Sequence, residues 1–165
     1  MKSWPAFLLI FIAAFVPGIA QAGAAQFELP TANRALFEKG GEEKFFVGTT
    51  GKPWTTGTFG CVRNGGWHMH EGLDIRCLQR DRHGEPTDPV LATADGTVAY
   101  WNKRPSLSNY GNYIVLRHVI EGIEVYSLYA HLQTIRDDLK PNQSVKAGER
   151  VGRQVHPSDV PGVER

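Results

Sequence analysis

Helical periodicity, charge of one sign, internal repeats and cysteine are what this 165-residue sequence has least of. No long segment places apolar residues at helical spacing, which argues against a helical domain. No unit recurs at a fixed period, which excludes a solenoid or repeat array. Basic and acidic residues number 18 and 17, with no long run of either. Nucleic-acid binding needs a basic face to neutralise phosphates, and none is written here. The two cysteines, Cys61 and Cys77, form no CxxC pair, so a zinc ribbon is excluded. The one strongly apolar run, Ala6 to Val16, is shorter than the roughly 20 residues a spanning helix needs.

That run has the marks of an export signal. Lys2 supplies a positive start, Pro17 and Gly18 close the apolar stretch, and Ala20-Gln21-Ala22 is a small-x-small cleavage site. The expectation is a signal peptide over 1–22, a mature chain beginning at Gly23, no stable membrane span after cleavage, and a secreted or periplasmic location. A membrane anchor is the rival reading. Cleavage removes one of the 18 basic residues and leaves the charges balanced. Export would also expose the cysteines to an oxidising compartment, where a pair normally bridges. A disulfide between Cys61 and Cys77 is therefore expected, worth about 3 kcal/mol from loop closure. Two free buried thiols are the alternative, and zinc ligation by both is a weaker one.

Residues 23–55 read as an irregular lead-in, with a helix-capable piece at Ala32–Glu38 and one candidate strand at Phe45-Phe46-Val47. From Gly66 onward the pattern is β. Ala94-Asp95-Gly96 lies between the apolar, β-branched segments Val90–Thr93 and Thr97–Trp101, a hairpin cue. Glu121-Gly122 lies in the same way between Asn112–His118 and Ile123–His131. Along the latter, Ile123, Val125, Ser127, Tyr129 and His131 share one face. Neither face is strictly polar, so a sheet covered on both sides is expected. Leu132–Leu139 reads as a loop or a single helical turn, and Ser144–Gly152 as strand, turn and strand. The fold class is all-β, an antiparallel β-sandwich.

Six histidines are present: His68, His70, His83, His118, His131 and His156. His70 and Asp74 are types that ligate zinc. On a straight strand four residues span about 13 Å, too far to share an ion, so the chain must fold back between them. Gly72 can take the backbone angles of such a kink. Alone, H-x-x-x-D is a weak pattern. His68 could join His70 from the same strand face, or it is a solvated or substrate-side histidine. His83 sits in a charged loop and is expected to be exposed. His118 falls near the Glu121-Gly122 turn, away from His131, and reads as structural and hydrogen-bonded in the sheet. His131 on its own reads as a plain strand-end histidine.

Taken in order, several segments between Thr56 and Gly152 resemble the lysostaphin/LytM-type family of zinc endopeptidases, which act on cell walls. They are Thr58-Phe59-Gly60 with Arg63; His70-Glu71-Gly72-Leu73-Asp74-Ile75; Pro89-Val90 with Ala92 and Asp95-Gly96-Thr97-Val98. Then come Tyr110-Gly111-Asn112-Tyr113, His118 and Leu128-Tyr129-Ala130-His131-Leu132, and last Val145 to Gly152. The spacing from Gly60 to Arg63 is one residue longer than the family's. The resemblance implies that His70 and Asp74 are two protein ligands of a Zn2+ cofactor and that His131 assists catalysis. It implies an endopeptidase domain over 56–152 whose partners are peptidoglycan peptides. It also implies a C-terminal H-x-H carrying the third ligand and a proposed base. No such motif follows Gly152, and residues 153–165 resemble nothing in the family. The expectation is a domain lacking its last core strand, with an incomplete metal site and impaired activity. His156 is a weak substitute ligand. The rival function is a non-catalytic peptidoglycan-binding or hydrolase-activating module, and a secreted zinc-binding signalling protein is a third.

Overall fold

Residues 27–154 are described by the computed structural model. The expected signal peptide and cleavage site, and His156, lie outside them. Among the described residues no helix is long and apolar enough to cross a membrane. Among the described residues one α-helix, α1 (Glu42–Phe45), precedes nine strands. They are β1 (Val62–Arg63), β2 (His68–Met69), β3 (Pro89–Leu91), β4 (Gly96–Asn102), β5 (Tyr113–Ile120), β6 (Ile123–Tyr129), β7 (Leu132–Ile135), β8 (Ser144–Val145) and β9 (Arg150–Gln154). All pair antiparallel. The larger sheet runs β6-β5-β4-β8, the smaller β3-β9-β7, and β1 with β2 makes a separate hairpin. The all-β antiparallel class is what the alternation of the sequence implies.

The core lies between the two larger sheets. Val98, Ile114, Leu116, Tyr129 and Val145 come from one side, Val90, Leu132, Ile135 and Val151 from the other, and Ala92 and Leu139 complete it. Period-2 alternation delivers these residues, since successive strand side chains face opposite ways. The β5–β6 hairpin forms as read, with Ile120 opposite Ile123. Glu121 and Gly122 both take positive φ, 51° and 79°, which is the turn that fits the right-handed twist of paired strands.

Four expectations are corrected. The Asp95-Gly96 turn does not join a hairpin: β3 pairs with β9, while β4 pairs with β5 and β8. The chain crosses between sheets here, and at the crossing Asp95 accepts from Lys146 Nζ at 2.7 Å and Ala147 N at 2.9 Å. Leu132–Ile135 is a strand, held on β9, rather than a loop or helical turn. The outer face of the larger sheet is open among the described residues, with Tyr100, Tyr126 and Leu128 exposed. Tyrosine tolerates that position because its ring tip is polar. Finally, Cys61 and Cys77 are free thiols. Cys61 turns back to pair with His70, its carbonyl accepting His70 N at 2.8 Å, and its Sγ lies 3.7 Å from the Val62 carbonyl. The chain leaving Asp74 runs instead toward Phe45, where Arg76 N donates to the Phe45 carbonyl at 2.8 Å. Cys77 is carried off with it.

The lead-in is built into the domain. Phe45 is fully buried, Phe46 bridges to Ile75, and Phe46 stacks on Trp54. The segment expected as a strand is thus the end of α1 plus one bridge residue. Further upstream, Glu28 N donates to the Thr93 carbonyl at 2.7 Å, and the Pro30 carbonyl accepts Leu91 N at 3.0 Å. These bonds occupy the outer edge of β3.

Candidate metal centre

Two backbone devices bring His70 and Asp74 together. The β1–β2 hairpin turns at Asn64–Gly66, where Gly65 and Gly66 take φ of 64° and 104°. Its ladder continues to His70, whose carbonyl accepts Gly60 N at 2.8 Å. Asp74 is fixed separately: its N–H donates to the Gly57 carbonyl at 2.8 Å, and its carbonyl accepts Val47 N at 2.9 Å. The chain bends at Gly72 between them. Gly72 is not among the residues of positive φ, so the bend uses ordinary backbone angles.

His70 Nε2 and Asp74 Oδ1 end 3.3 Å apart. Two ligand atoms on one tetrahedral zinc, each bound at roughly 2.1 Å, sit about 3.4 Å apart. The pair therefore fits two corners of such an ion. The other His70 nitrogen, Nδ1, is 2.9 Å from the Thr58 carbonyl. A carbonyl only accepts, so Nδ1 carries the proton and Nε2 keeps the lone pair a metal needs. Asp74 Oδ2 is taken by Arg63, whose Nη2 donates to it at 2.6 Å and to the Thr56 carbonyl at 2.5 Å. The side chains of His70 and Asp74 are 13% and 35% exposed, enclosed but reachable.

His131 stands beside this pair. It follows the end of β6 with φ of 53°, a left-handed backbone that costs a non-glycine residue about 1–2 kcal/mol. The backbone is held there by His131 N donating to the Tyr110 carbonyl at 2.9 Å. Its Nδ1 is buried with no partner, and a Cβ on Gly111 would lie 3.8 Å from that atom. Burial is the main influence on its imidazole and lowers the pKa; Asp74 nearby pulls it up, and His70 pushes it down again. The net result is lowered, so His131 is neutral near pH 7, able to accept a proton or to hydrogen-bond. A half-buried imidazole on a strained backbone, with an unpartnered Nδ1 and the His70–Asp74 pair nearby, is the kind of group that clusters at functional sites.

The other histidines are elsewhere. His68 is exposed on β2, and His83 is exposed with its Nε2 accepting from Arg82 Nε at 3.0 Å. His118 is 1% exposed, between the Asp95 carbonyl and Ser127 Oγ at 2.8 Å each, which is the structural role read from its position. Among the described residues no third His, Cys, Asp or Glu joins a pair closely enough to hold a metal. In the sequence Arg63 stands out only through the family resemblance. The carbonyls of Thr56 and Thr58 leave no trace in residue type and were not legible. No curated protein and no solved structure matches the chain. The sequence pattern of peptidase family M23 does match, over residues 68–160, which takes in more than half of the chain together with His70, Asp74 and His131. The chain belongs to peptidase family M23.

Proposed function

We propose that this protein is an exported, zinc-dependent endopeptidase of the cell wall that hydrolyses peptide bonds in peptidoglycan cross-links. One observation carries the reading: His70 Nε2 and Asp74 Oδ1 face each other at the separation of two zinc ligands, in a chain of a peptidase family. The chemistry supplied there by a bound zinc ion is Lewis-acid chemistry, polarising a scissile carbonyl and acidifying the attacking water to a pKa near about 7. His70 and Asp74 would hold the ion. Neutral His131 takes the proton of the attacking water or steadies the oxygen of the carbonyl as charge develops on it. The leader and the wall substrate agree: a signal peptide over 1–22 would deliver the chain to a secreted or periplasmic location where peptidoglycan lies.

Within these 165 residues no H-x-H follows Gly152. Among the described residues His70 and Asp74 offer one imidazole and one carboxylate, which by themselves make a weak zinc site. The absence of a third ligand among the described residues favours a second reading, a module that binds peptidoglycan or activates another hydrolase without cleaving. Two measurements on the purified chain separate them: peptidoglycan pull-down, and release of muropeptides with zinc added. Release that disappears in His70→Ala and Asp74→Asn supports the peptidase. Binding without release, at any zinc concentration, supports the module and contradicts the enzyme.

A further inference from the structure

We propose that Arg63 is a positioning residue for the metal-ligating carboxylate, holding Asp74 so that Oδ1 alone faces the ion beside His70 Nε2. This rests on the zinc reading of the His70–Asp74 pair. The Asp74 backbone is already fixed by Gly57 and Val47, so its remaining freedom is rotation of the carboxylate. That rotation is broad in a free aspartate. Arg63 removes it by taking Oδ2 at 2.6 Å, leaving Oδ1 3.3 Å from His70 Nε2.

The guanidinium is not placed for its own sake. Arg63 Nε is buried and has no hydrogen-bond partner. An arginine seated to satisfy its donors would not leave one orphaned, because a buried unmet donor is costly. The side chain is instead stretched between Asp74 and the Thr56 carbonyl. Thr56 and Thr58 belong to one turn, Trp54–Gly57 and the residue after it. That turn therefore sets both ligands: His70 directly through the Thr58 carbonyl, and Asp74 at one remove through Arg63.

Two consequences of the arginine oppose each other. Its positive charge weakens a nearby cation, and its grip on Oδ2 orients the ligand. Loss of partners that orient metal ligands generally costs about 10–100-fold in metal affinity, so orientation is expected to dominate. Lysine discriminates between the two effects. It keeps the charge but offers a point donor instead of a planar fork.

The test is calorimetric zinc titration of the full chain, with the thermal midpoint of each metal-free variant measured beside it. Arg63→Met is expected to weaken zinc by about 10–100-fold, with Arg63→Lys in between. If Arg63→Met fails to fold, Arg63→Lys decides, provided its metal-free midpoint matches the parent. Affinity equal to or tighter than the parent's in the folded variants overturns the positioning role while leaving the zinc reading intact. Zinc that binds the parent and His70→Ala equally sinks the zinc reading and this role with it.

Discussion

Gly57 shows how little room the metal centre leaves at single positions. A Cβ there would lie 2.1 Å from the Val47 carbonyl oxygen and 3.3 Å from Asp74 Cβ. Its φ is ordinary, so the constraint is space and not backbone strain. Gly57→Ala must push apart the two segments that fix the Asp74 backbone. The expected cost is about 1–3 kcal/mol of stability, as for overpacking generally, together with weaker zinc binding. Urea midpoints and a zinc titration on the same sample check both; a stable variant that binds zinc normally would show that Asp74 tolerates the shift.

His131 gives a pH prediction of definite sign. Its pKa in the fold lies below its ordinary value of 6.5, chiefly through burial. The unfolded chain therefore binds that proton more readily than the folded one. Stability rises with pH wherever the unfolded state holds more protons, so acidification below about 6.5 favours unfolding until the folded pKa is passed. His131→Gln removes this contribution. With chelator present to exclude metal effects, the parent should lose more stability than the variant between pH 7.5 and 5.5, read from urea unfolding. Parallel pH curves would mean that burial at His131 carries no such penalty.

At the scale of elements, the lead-in changes its standing. Asn33 is 1% exposed. Its Nδ2 donates to the carbonyls of Lys44 and Arg76 at 3.1 and 3.2 Å, and its Oδ1 accepts Ala35 N at 3.0 Å. One side chain thus ties the lead-in to α1 and to the strand segment that follows Asp74. Asn33→Ala leaves those groups without partners, and each unmet buried group costs about 1–3 kcal/mol. A loss of roughly 2–4 kcal/mol is expected in chemical denaturation. Deleting residues 27–48 should abolish cooperative unfolding altogether, since Phe45 would go with them. A truncated chain that still melts cooperatively would return the lead-in to the status of a mere leader.

The elements also show what the sequence could and could not convey. The Glu121-Gly122 hairpin was legible because turn chemistry and strand alternation agree locally. Asp95-Gly96 carries the same dipeptide logic and misleads, because its flanking strands do not pair with each other: β3 pairs with β9, and β4 with β5 and β8. The strand Leu132–Ile135 lacks a strong β signature and owes its conformation to β9, a tertiary override of local preference. The pairing of His70 with Asp74 was foreseeable as a requirement, that the chain fold back. The means, two separate backbone anchors at Gly57 and Val47, is carried by carbonyls and amides that every residue possesses.

For the whole molecule the governing fact is that the core and the metal centre are separate. The core residues come from the two larger sheets, with Ile114, Leu116, Val98 and Val151 fully buried, and none of them is a candidate ligand. His70 and Asp74 are tied to the hairpin and the lead-in by backbone bonds that form without any ion. This differs from a small zinc domain, where ligand binding is the folding energy. Zinc should therefore stabilise only by mass action. At free zinc equal to its Kd that is about 0.4 kcal/mol, a rise in Tm of about 1–3 °C for a domain of this size. Excess chelator should remove that increment and leave a cooperative transition with near-UV dichroism unchanged. If chelation instead abolished the transition, the ion would have to be holding the two anchors of Asp74 in place, and the metal centre would be part of the fold.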